Sequence, residues 1–113
     1  MNRSLLKTLK AVSDPNRLKI LGLLLHEPLY VCEICQLLNL ALSTTSKHLC
    51  ILSNAGLICD CKEGRWIKYT INDQPGNNYP QAVLKMVKSY LLNDDEIDQC
   101  IHKLAKHRPP EKC

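Results

Sequence analysis

The sequence predicts a mainly α-helical domain that carries one small β-hairpin. Apolar residues recur at helical spacing along most of the chain, and only two short runs in its middle alternate as strands do. The 113 residues include one Trp, four Tyr and no Phe, so the core must consist of Leu, Ile, Val and Ala, which favours packed helices. We expect residues 1–108 to form a single domain and residues 109–113 to be a flexible tail.

Four helices are predicted in the first half of the chain. Asp14 can cap the second helix, and Pro15 suits its first position. In the fourth helix we expect Leu49, Ile51 and Leu52 to face the core. The predicted helices cover residues 3–12, 15 to about 27, 31–39 and 43–56.

The hydrophobic period changes after residue 56. Leu57–Lys62 and Trp66–Ile71 have the composition and spacing of strands, and Glu63-Gly64-Arg65 between them is a hairpin signal. Two helices followed by a helix-turn-helix and a hairpin form the layout of a winged helix-turn-helix, in which the hairpin is the wing.

Two further helices are predicted near the C-terminus. Pro80 begins the first. Asn93–Glu96 offers an N-cap and acidic first-turn residues for the second, which continues to about His107. Together with the first helix of the chain they carry more apolar surface than so small a core needs. We therefore expect a homodimer whose interface is built from the N- and C-terminal helices.

Charge and composition limit the partners and the location. The formal net charge of +4 permits a polyanionic partner without demanding one. The sequence contains no apolar leader and no run of about 18 apolar residues, so we expect a cytoplasmic protein with no membrane partner. In that reducing compartment the seven cysteines are expected to be free thiols, metal ligands or redox sensors rather than structural disulfides.

The third and fourth predicted helices form a helix-turn-helix, whose second helix enters the major groove with its N-terminal residues at base edges. Short hydroxyls can approach phosphates or bases there, and a lysine and a histidine add donors. Basic residues near the hairpin tip suit phosphate contacts. Helix capping and an ordinary solvated hairpin are the alternatives, but the two features together favour DNA binding. The candidate contacts are Ser43, Thr44, Thr45, Ser46, Lys47 and His48 in the helix and Lys62, Arg65 and Lys68 in the hairpin.

A pair of thiols precedes the candidate recognition helix. Cys32 and Cys35 are three residues apart on a helix, so they share one face with Cβ atoms roughly 5–6 Å apart. This spacing suits chelation of one soft ion by two thiolates. Structural zinc normally has four ligands, whereas As(III) or Sb(III) favours three thiolates and can be held by two and a small thiol. The alternative is that both cysteines are small buried apolar residues.

The other cysteines have weaker signals. Cys59 and Cys61 alternate along a strand and face the same side, with Cα atoms about 6.6 Å apart. They could supply two ligands, but packing beside the wing is the plainer interpretation. Cys50 is expected to be a packing residue. Cys100 lies in the last helix, and Cys113 in the predicted tail could reach another site or a second subunit.

Four segments, at residues 11–21, 43–49 with 52–58, 63–69 and 91–97, resemble the ArsR/SmtB family of metal-responsive repressors, and the similarity extends over nearly the whole chain. Residues 11–21 resemble the opening signature of that family, and residues 43–49 followed by 52–58 resemble its recognition helix. Residues 63–69 resemble its wing. Residues 91–97 are similar to the end of arsenic-responsive members.

The resemblance implies a homodimeric winged helix-turn-helix repressor that binds a palindromic operator and releases it when an inducer binds. In arsenic-sensing members the sensor helix carries Leu-Cys-Val-Cys, followed by an acidic residue, an apolar residue and sometimes another Cys. Here Tyr30 stands at the first cysteine, while Cys32 and Cys35 match the other two positions. The third ligand of a three-thiolate site is therefore unassigned.

The sequence thus predicts a DNA-binding repressor that releases its operator when As(III) or Sb(III) binds Cys32 and Cys35, with no permanently bound cofactor. A thiol-based redox-sensing repressor of the same fold is one alternative, and a metal-insensitive DNA-binding or architectural protein is another. We expect no enzyme, because the sequence has no nucleophile–base–acid set and no Gly-rich phosphate loop.

Overall fold

The structure, a computed structural model, describes residues 3–73, 78–91 and 93–107. The predicted tail at residues 109–113 lies outside these ranges. Within them the chain is mainly helical with one small sheet, as predicted. The elements are α1 (Arg3–Val12), α2 (Pro15–His26), β1 (Leu29–Tyr30), α3 (Val31–Leu38), α4 (Leu42–Asn54), β2 (Ile58–Glu63), β3 (Trp66–Ile71), α5 (Asn78–Leu91) and α6 (Asp95–His107).

The start of α2 is set by Asp14, as the sequence predicted. Its Oδ1 accepts hydrogen bonds from the backbone N–H of Asn16 at 2.8 Å and of Arg17 at 3.1 Å. Burial acts to raise the pKa of Asp14, but these two bonds and the positive charge of Arg17 outweigh it, so the pKa is lowered below its ordinary value of 3.8. Pro15 follows at the first helical position, where its missing N–H costs nothing.

The turn between α3 and α4 depends on one left-handed residue. Asn39 has φ 55°, and asparagine is one of the few residues that adopt this conformation readily. The N–H of Leu40 then bonds to the carbonyl of Cys35 at 3.0 Å, which closes α3. The next helix begins at Leu42, one residue before the predicted start at Ser43.

The sheet has three antiparallel strands in the order β1-β3-β2. The hairpin of β2 and β3 was predicted, and Gly64 in its turn has φ 64°, which suits the first central position of a tight hairpin turn. The two-residue strand β1 was not predicted. Its register pairs Leu29 with Tyr69 and Tyr30 with Lys68, so the start of α3 is joined to the wing.

The core lies between α2, α4 and the inner face of the sheet. Leu49 and Leu52 of α4 are fully buried, as predicted, together with Ile20, Leu21, Leu23, Leu29, Ile34 and Leu57. The prediction for Ile51 was wrong, because its side chain is 41% exposed. At Gly22 a Cβ atom would lie only 2.7 Å from the Ile97 side chain, so the absence of a side chain lets α6 approach α2 closely.

Helices α1 and α5 pack on one another and leave apolar side chains exposed to solvent. Helix α1 contacts α5. Their exposed apolar residues are Leu5, Leu6, Leu9, Met86 and Tyr90. None of the helices in the described ranges combines the length and apolar character that a membrane crossing requires.

We expect Asp14→Ala to lower the free energy of unfolding by ~1 kcal/mol at pH 7, because it removes the cap of α2. The folded-state pKa of Asp14 is lowered, so its contribution is present above the unfolded-state pKa and is lost as the pH falls through the folded-state value. Urea unfolding at a fixed protein concentration should therefore show a smaller difference between the two proteins at about pH 3 than at pH 7.

Asp73→Ala is the matched control, because Asp73 is an exposed acidic residue outside the helices. It should leave the stability nearly unchanged. A deficit of the Asp14 variant that is equal at both pH values would contradict the capping account.

Candidate nucleic-acid interface and sensor helix

The first two turns of α4 expose a polar surface. Ser43, Thr44, Ser46 and Lys47 are exposed and His48 is half-buried. These side chains lie at the N-terminal end of the second helix of the helix-turn-helix, which is the end that reaches base edges in this motif. Five of the six candidate contacts predicted in α4 thus lie at or near the surface.

Thr45 is not accessible to DNA, so its prediction as a DNA contact was wrong. Its side chain is fully buried, and its hydroxyl donates to the carbonyl oxygen of Ala41 at 3.0 Å. It lies four residues before Leu49 and therefore shares the inward face of α4. The hydroxyl is used inside the helix, so Thr45 packs in the core and does not face DNA.

The three predicted cations of the wing are not all on one face. Lys62 pairs with Ile67, and Lys68 pairs with Cys61, so the two lysines lie on opposite faces of the hairpin. Lys62 and Arg65 are exposed, and the Arg65 guanidinium lies 5.3 Å from the centroid of the Trp66 ring. Lys68 is half-buried, with its ammonium 5.3 Å from the Tyr30 ring centroid. Lys62 and Arg65 are therefore the more accessible of the three.

Arg17 is a residue of this surface that the sequence reasoning missed. Its Nε donates to the carbonyl of Ala11 at 2.7 Å, and a second guanidinium nitrogen donates to that of Lys10 at 3.2 Å. Its third nitrogen lies 3.3 Å from Nδ1 of His48. Arg17 therefore joins the C-terminus of α1 to α4, a contact that no local sequence pattern could have indicated.

The contact with Arg17 determines the tautomer of His48. A guanidinium can only donate hydrogen bonds, so Nδ1 of His48 must accept. The neutral imidazole then carries its proton on Nε2. His48 can therefore act as a hydrogen-bond donor through Nε2 without carrying a charge.

Leu42 is a second residue that the sequence reasoning missed. It is the first residue of α4, one position before the predicted start, and its side chain is 59% exposed. An apolar side chain at the N-terminus of a recognition helix can contact the methyl group of thymine in the major groove.

The two candidate metal ligands lie on α3, directly before α4. Cys32 and Cys35 are both half-buried. Cys35 carries a free thiol, whereas Cys32 is disulfide-bonded, contrary to the prediction that the cysteines are not paired in this way. In the part of the chain that the structure describes, no three residues among His, Cys, Asp and Glu are placed to hold one metal ion.

Tyr30 and Glu33, which flank Cys32, are both engaged in structure. The backbone N–H of Tyr30 donates to Glu33 Oε1 at 2.9 Å, which caps the first turn of α3. Tyr30 Oη donates to Glu63 Oε2 of the wing at 2.7 Å. The Tyr30 side chain thus forms a contact between the start of α3 and the wing.

The remaining described cysteines are scattered. Cys50 is exposed on α4, so the prediction that it is a packing residue was wrong, and its Sγ accepts a hydrogen bond from Asn54 Nδ2 at 3.5 Å. Cys61 is exposed and Cys59 is half-buried on the same face of β2. Cys100 packs against the core, and Cys113 lies outside the described residues.

Comparisons with known proteins identify the family. The model described as "Bacterial regulatory protein, arsR family" matches residues 14–59, from the cap of α2 into β2. The cadmium resistance transcriptional regulatory protein CadC of Listeria innocua is 36% identical over 83 residues, which cover 66% of this chain and 70% of that protein. The chain belongs to the ArsR family.

A second relative and a solved structure are similar to a larger share of the chain. The arsenical resistance operon repressor of Escherichia coli is 29% identical over 100 residues, covering 86% of this chain and 81% of that protein. The solved structure of reduced HlyU from Vibrio cholerae aligns with a TM-score of 0.65 and 29% identity, covering 80% of this chain and 90% of that one. The winged helix-turn-helix fold is confirmed, and this ArsR-family chain is a DNA-binding transcriptional regulator rather than an enzyme.

We expect His48→Ala to weaken operator binding about tenfold, the effect of losing one hydrogen bond to a charged group. Because the neutral imidazole brings no charge, the slope of log Kd against log salt should not change. Lys47→Ala is the matched comparison, and it should lower that slope by about one if Lys47 contacts a phosphate. Fluorescence anisotropy over a salt series measures both. A slope that falls in the His48 variant would show that the charged imidazolium contacts phosphate instead.

Leu42 can be tested by removing one methyl group from the DNA. Replacing a contacted thymine by deoxyuridine should weaken binding of the unmodified protein about fourfold, since burying one methyl group contributes ~0.8 kcal/mol. The same replacement should have no effect on Leu42→Ala. An equal effect on both proteins at every thymine would rule out this contact.

Proposed function

We propose that this chain is a homodimeric cytoplasmic repressor that releases a palindromic operator when As(III) or Sb(III) binds the thiolates of Cys32 and Cys35 in the reduced protein. The observation that carries the proposal is the position of this pair on α3, directly before the recognition helix α4. No permanently bound cofactor is required.

The DNA-binding half of the proposal is supported by two exposed surfaces. The N-terminal turns of α4 present Ser43, Thr44, Ser46 and Lys47, with His48 beside them, and the wing presents Lys62 and Arg65. Lys68 remains a candidate contact from the half-buried side of the wing. A net charge of +4 favours approach to a polyanion.

The dimer is supported by the apolar surface of the terminal helices. Leu5, Leu6 and Leu9 of α1 and Met86 of α5 are exposed, and Tyr90 of α5 is 79% exposed. A second copy of the chain would cover these side chains and place two α4 helices on one operator. The palindrome then follows from the two-fold symmetry, with half-sites about one DNA turn apart.

The choice of ion is supported by the donor chemistry and by the relatives. Two thiolates one helical turn apart are soft ligands and favour thiophilic ions. The similar proteins include a cadmium resistance regulator and an arsenical resistance repressor. Since the described residues supply no third ligand in reach, a small thiol or another thiolate would complete the coordination. The third ligand remains unassigned.

The two binding events must oppose each other. An ion on α3 that favours a dimer geometry with misplaced α4 helices weakens DNA binding, and by linkage the DNA weakens ion binding by the same factor. Couplings of this kind are typically about 5–150-fold.

The test is fluorescence anisotropy of the reduced protein on its own promoter DNA, titrated anaerobically with arsenite. Release is expected near stoichiometric arsenite. Cys32→Ser and Cys35→Ser should each keep the operator affinity and lose the release. Cys61→Ser is the matched control, because it removes an exposed thiol that is not on α3, and it should still respond. Release of the Cys32 variant at wild-type arsenite concentrations would refute the assigned site.

A redox-sensing repressor is the second candidate, and the disulfide at Cys32 favours it. One similar solved structure is described as the reduced form of HlyU, which makes the oxidation state worth testing here. Peroxide in a metal-free buffer should then release the operator, and Cys32→Ser should abolish that release. Release by arsenite without release by peroxide supports the first candidate, and the reverse supports the second.

A further inference from the structure

One face of α1 carries three cations, and the helix contains no acidic residue. Arg3, Lys7 and Lys10 are all exposed, and together with Leu6 they line one hollow in the surface. Because a helix turns by about 100° per residue, the three side chains project within about 60° of one another. Among the described residues no carboxylate forms an ion pair with any of them. This α1 cation row therefore presents positive charge that the protein itself does not neutralise.

The α1 cation row is separate from the other two sides of the helix. Thr8, Ala11 and Val12 are buried against the rest of the domain. Leu5 and Leu9, which are four residues apart and share a face, are exposed on a third side. A dimer interface built on these two leucines therefore does not require the cation row, which stays available to another partner.

Helix α1 runs antiparallel to the recognition helix α4 and contacts it. In the middle of α1, Lys7 shares a cleft of about 230 Å³ with Asn54, the last residue of α4. Toward the end of α1, the carbonyl of Lys10 accepts a hydrogen bond from Arg17 at 3.2 Å, and another nitrogen of Arg17 lies 3.3 Å from Nδ1 of His48. The cation row thus follows the side of α4 along much of its length.

An element beside a recognition helix lies over the edge of the groove. The major groove is about 12 Å wide, and a helix with its side chains is about 10–12 Å across, so one helix fills it. Packed helices lie about 8–10 Å apart. A helix next to α4 would therefore lie above the sugar–phosphate backbone that borders the groove, where lysine and arginine side chains can contact phosphates.

We propose that the α1 cation row binds the phosphate backbone beside the groove that α4 enters, so that the DNA interface of each protomer extends from α4 onto α1. This inference rests on the DNA-binding half of the proposed function and does not depend on the inducer. Arg17 holds the two parts of the interface together, because it bonds to the Lys10 carbonyl and contacts His48. Phosphate contacts fix the position of a protein on DNA without reading its sequence. The cation row therefore adds affinity, and α4 supplies the specificity.

The decisive variant is Lys7→Gln/Lys10→Gln, which keeps two exposed polar side chains and removes two charges. Fluorescence anisotropy over a salt series measures its binding to the promoter DNA, with the reduced full chain and no inducer. We expect the slope of log Kd against log salt to fall by about two for each bound protomer, since each lost phosphate contact lowers it by about one. Unrelated duplex DNA should show the same fall, because its backbone is the same.

Two control variants separate charge from other effects. Lys7→Arg/Lys10→Arg keeps both charges and should keep the slope. Lys103→Gln removes the charge of an exposed lysine on α6, a helix that packs on α2 and α3, and it should also keep the slope. A fall of the slope in the arginine variant that equals the fall in the glutamine variant would overturn the proposal, because charge would not be the cause.

Uncharged phosphates in the DNA locate the contact. A methylphosphonate at a contacted position should weaken binding of the unmodified protein about fivefold, which corresponds to the attraction of two unit charges about 4 Å apart in water. The same replacement should have no effect on Lys7→Gln/Lys10→Gln. An equal loss for both proteins at every position would overturn the proposal.

The outcomes separate this inference from the proposed function. If the unmodified protein binds the promoter DNA and Lys7→Gln/Lys10→Gln keeps its slope, only the contact of α1 with DNA is overturned. Absence of DNA binding by the unmodified protein would refute both. Because no arsenite is added, a failure of the proposed inducer leaves the result of this experiment unchanged.

Discussion

The burial of one face of α4 is the constraint on which the rest of the structure depends. Thr45, Leu49 and Leu52 are fully buried, and α4 packs against α2 and β2. Because a helix turns by about 100° per residue, burying these three positions leaves the hydroxyl and amine side chains of Ser43, Thr44, Ser46 and Lys47 on the solvent side. The side chains that stabilise the domain thus also determine which ones it can offer to DNA.

Two side-chain contacts and one turn join this helix and the wing to neighbouring elements. Arg17 ties α4 to the C-terminus of α1, the helix whose exposed leucines support a dimer. The left-handed Asn39 ends α3 and lies in the turn that leads to α4. Tyr30 ties α3 to Glu63 of the wing. Under the proposed function, these hydrogen bonds between neighbouring elements would connect the dimer interface and the thiols to the DNA-binding surface.

Tyr30 at the start of α3 has two physical consequences. A tyrosine offers no soft ligand, so the sulfur atoms near this end of the helix are those of Cys32 and Cys35. It also adds a hydroxyl and a ring that hold Glu63 and Lys68. This residue therefore serves as a structural link between the start of α3 and the wing.

Much of the fold could be predicted from the sequence alone, because it depends on interactions between residues that are close together along the chain. The helical periods, the Asp14 cap, the hairpin turn at Gly64 and the family motifs all depend on residues within a few positions of each other. Only the tertiary structure decided the burial of Thr45, the exposure of Ile51 and Cys50, the strand β1 and the contact of Arg17 with His48. Polar and apolar residues interleave in α4, so its inward face depends on what packs against it. The other features join residues that are distant along the chain, and their proximity exists only once the helices and the sheet have packed together.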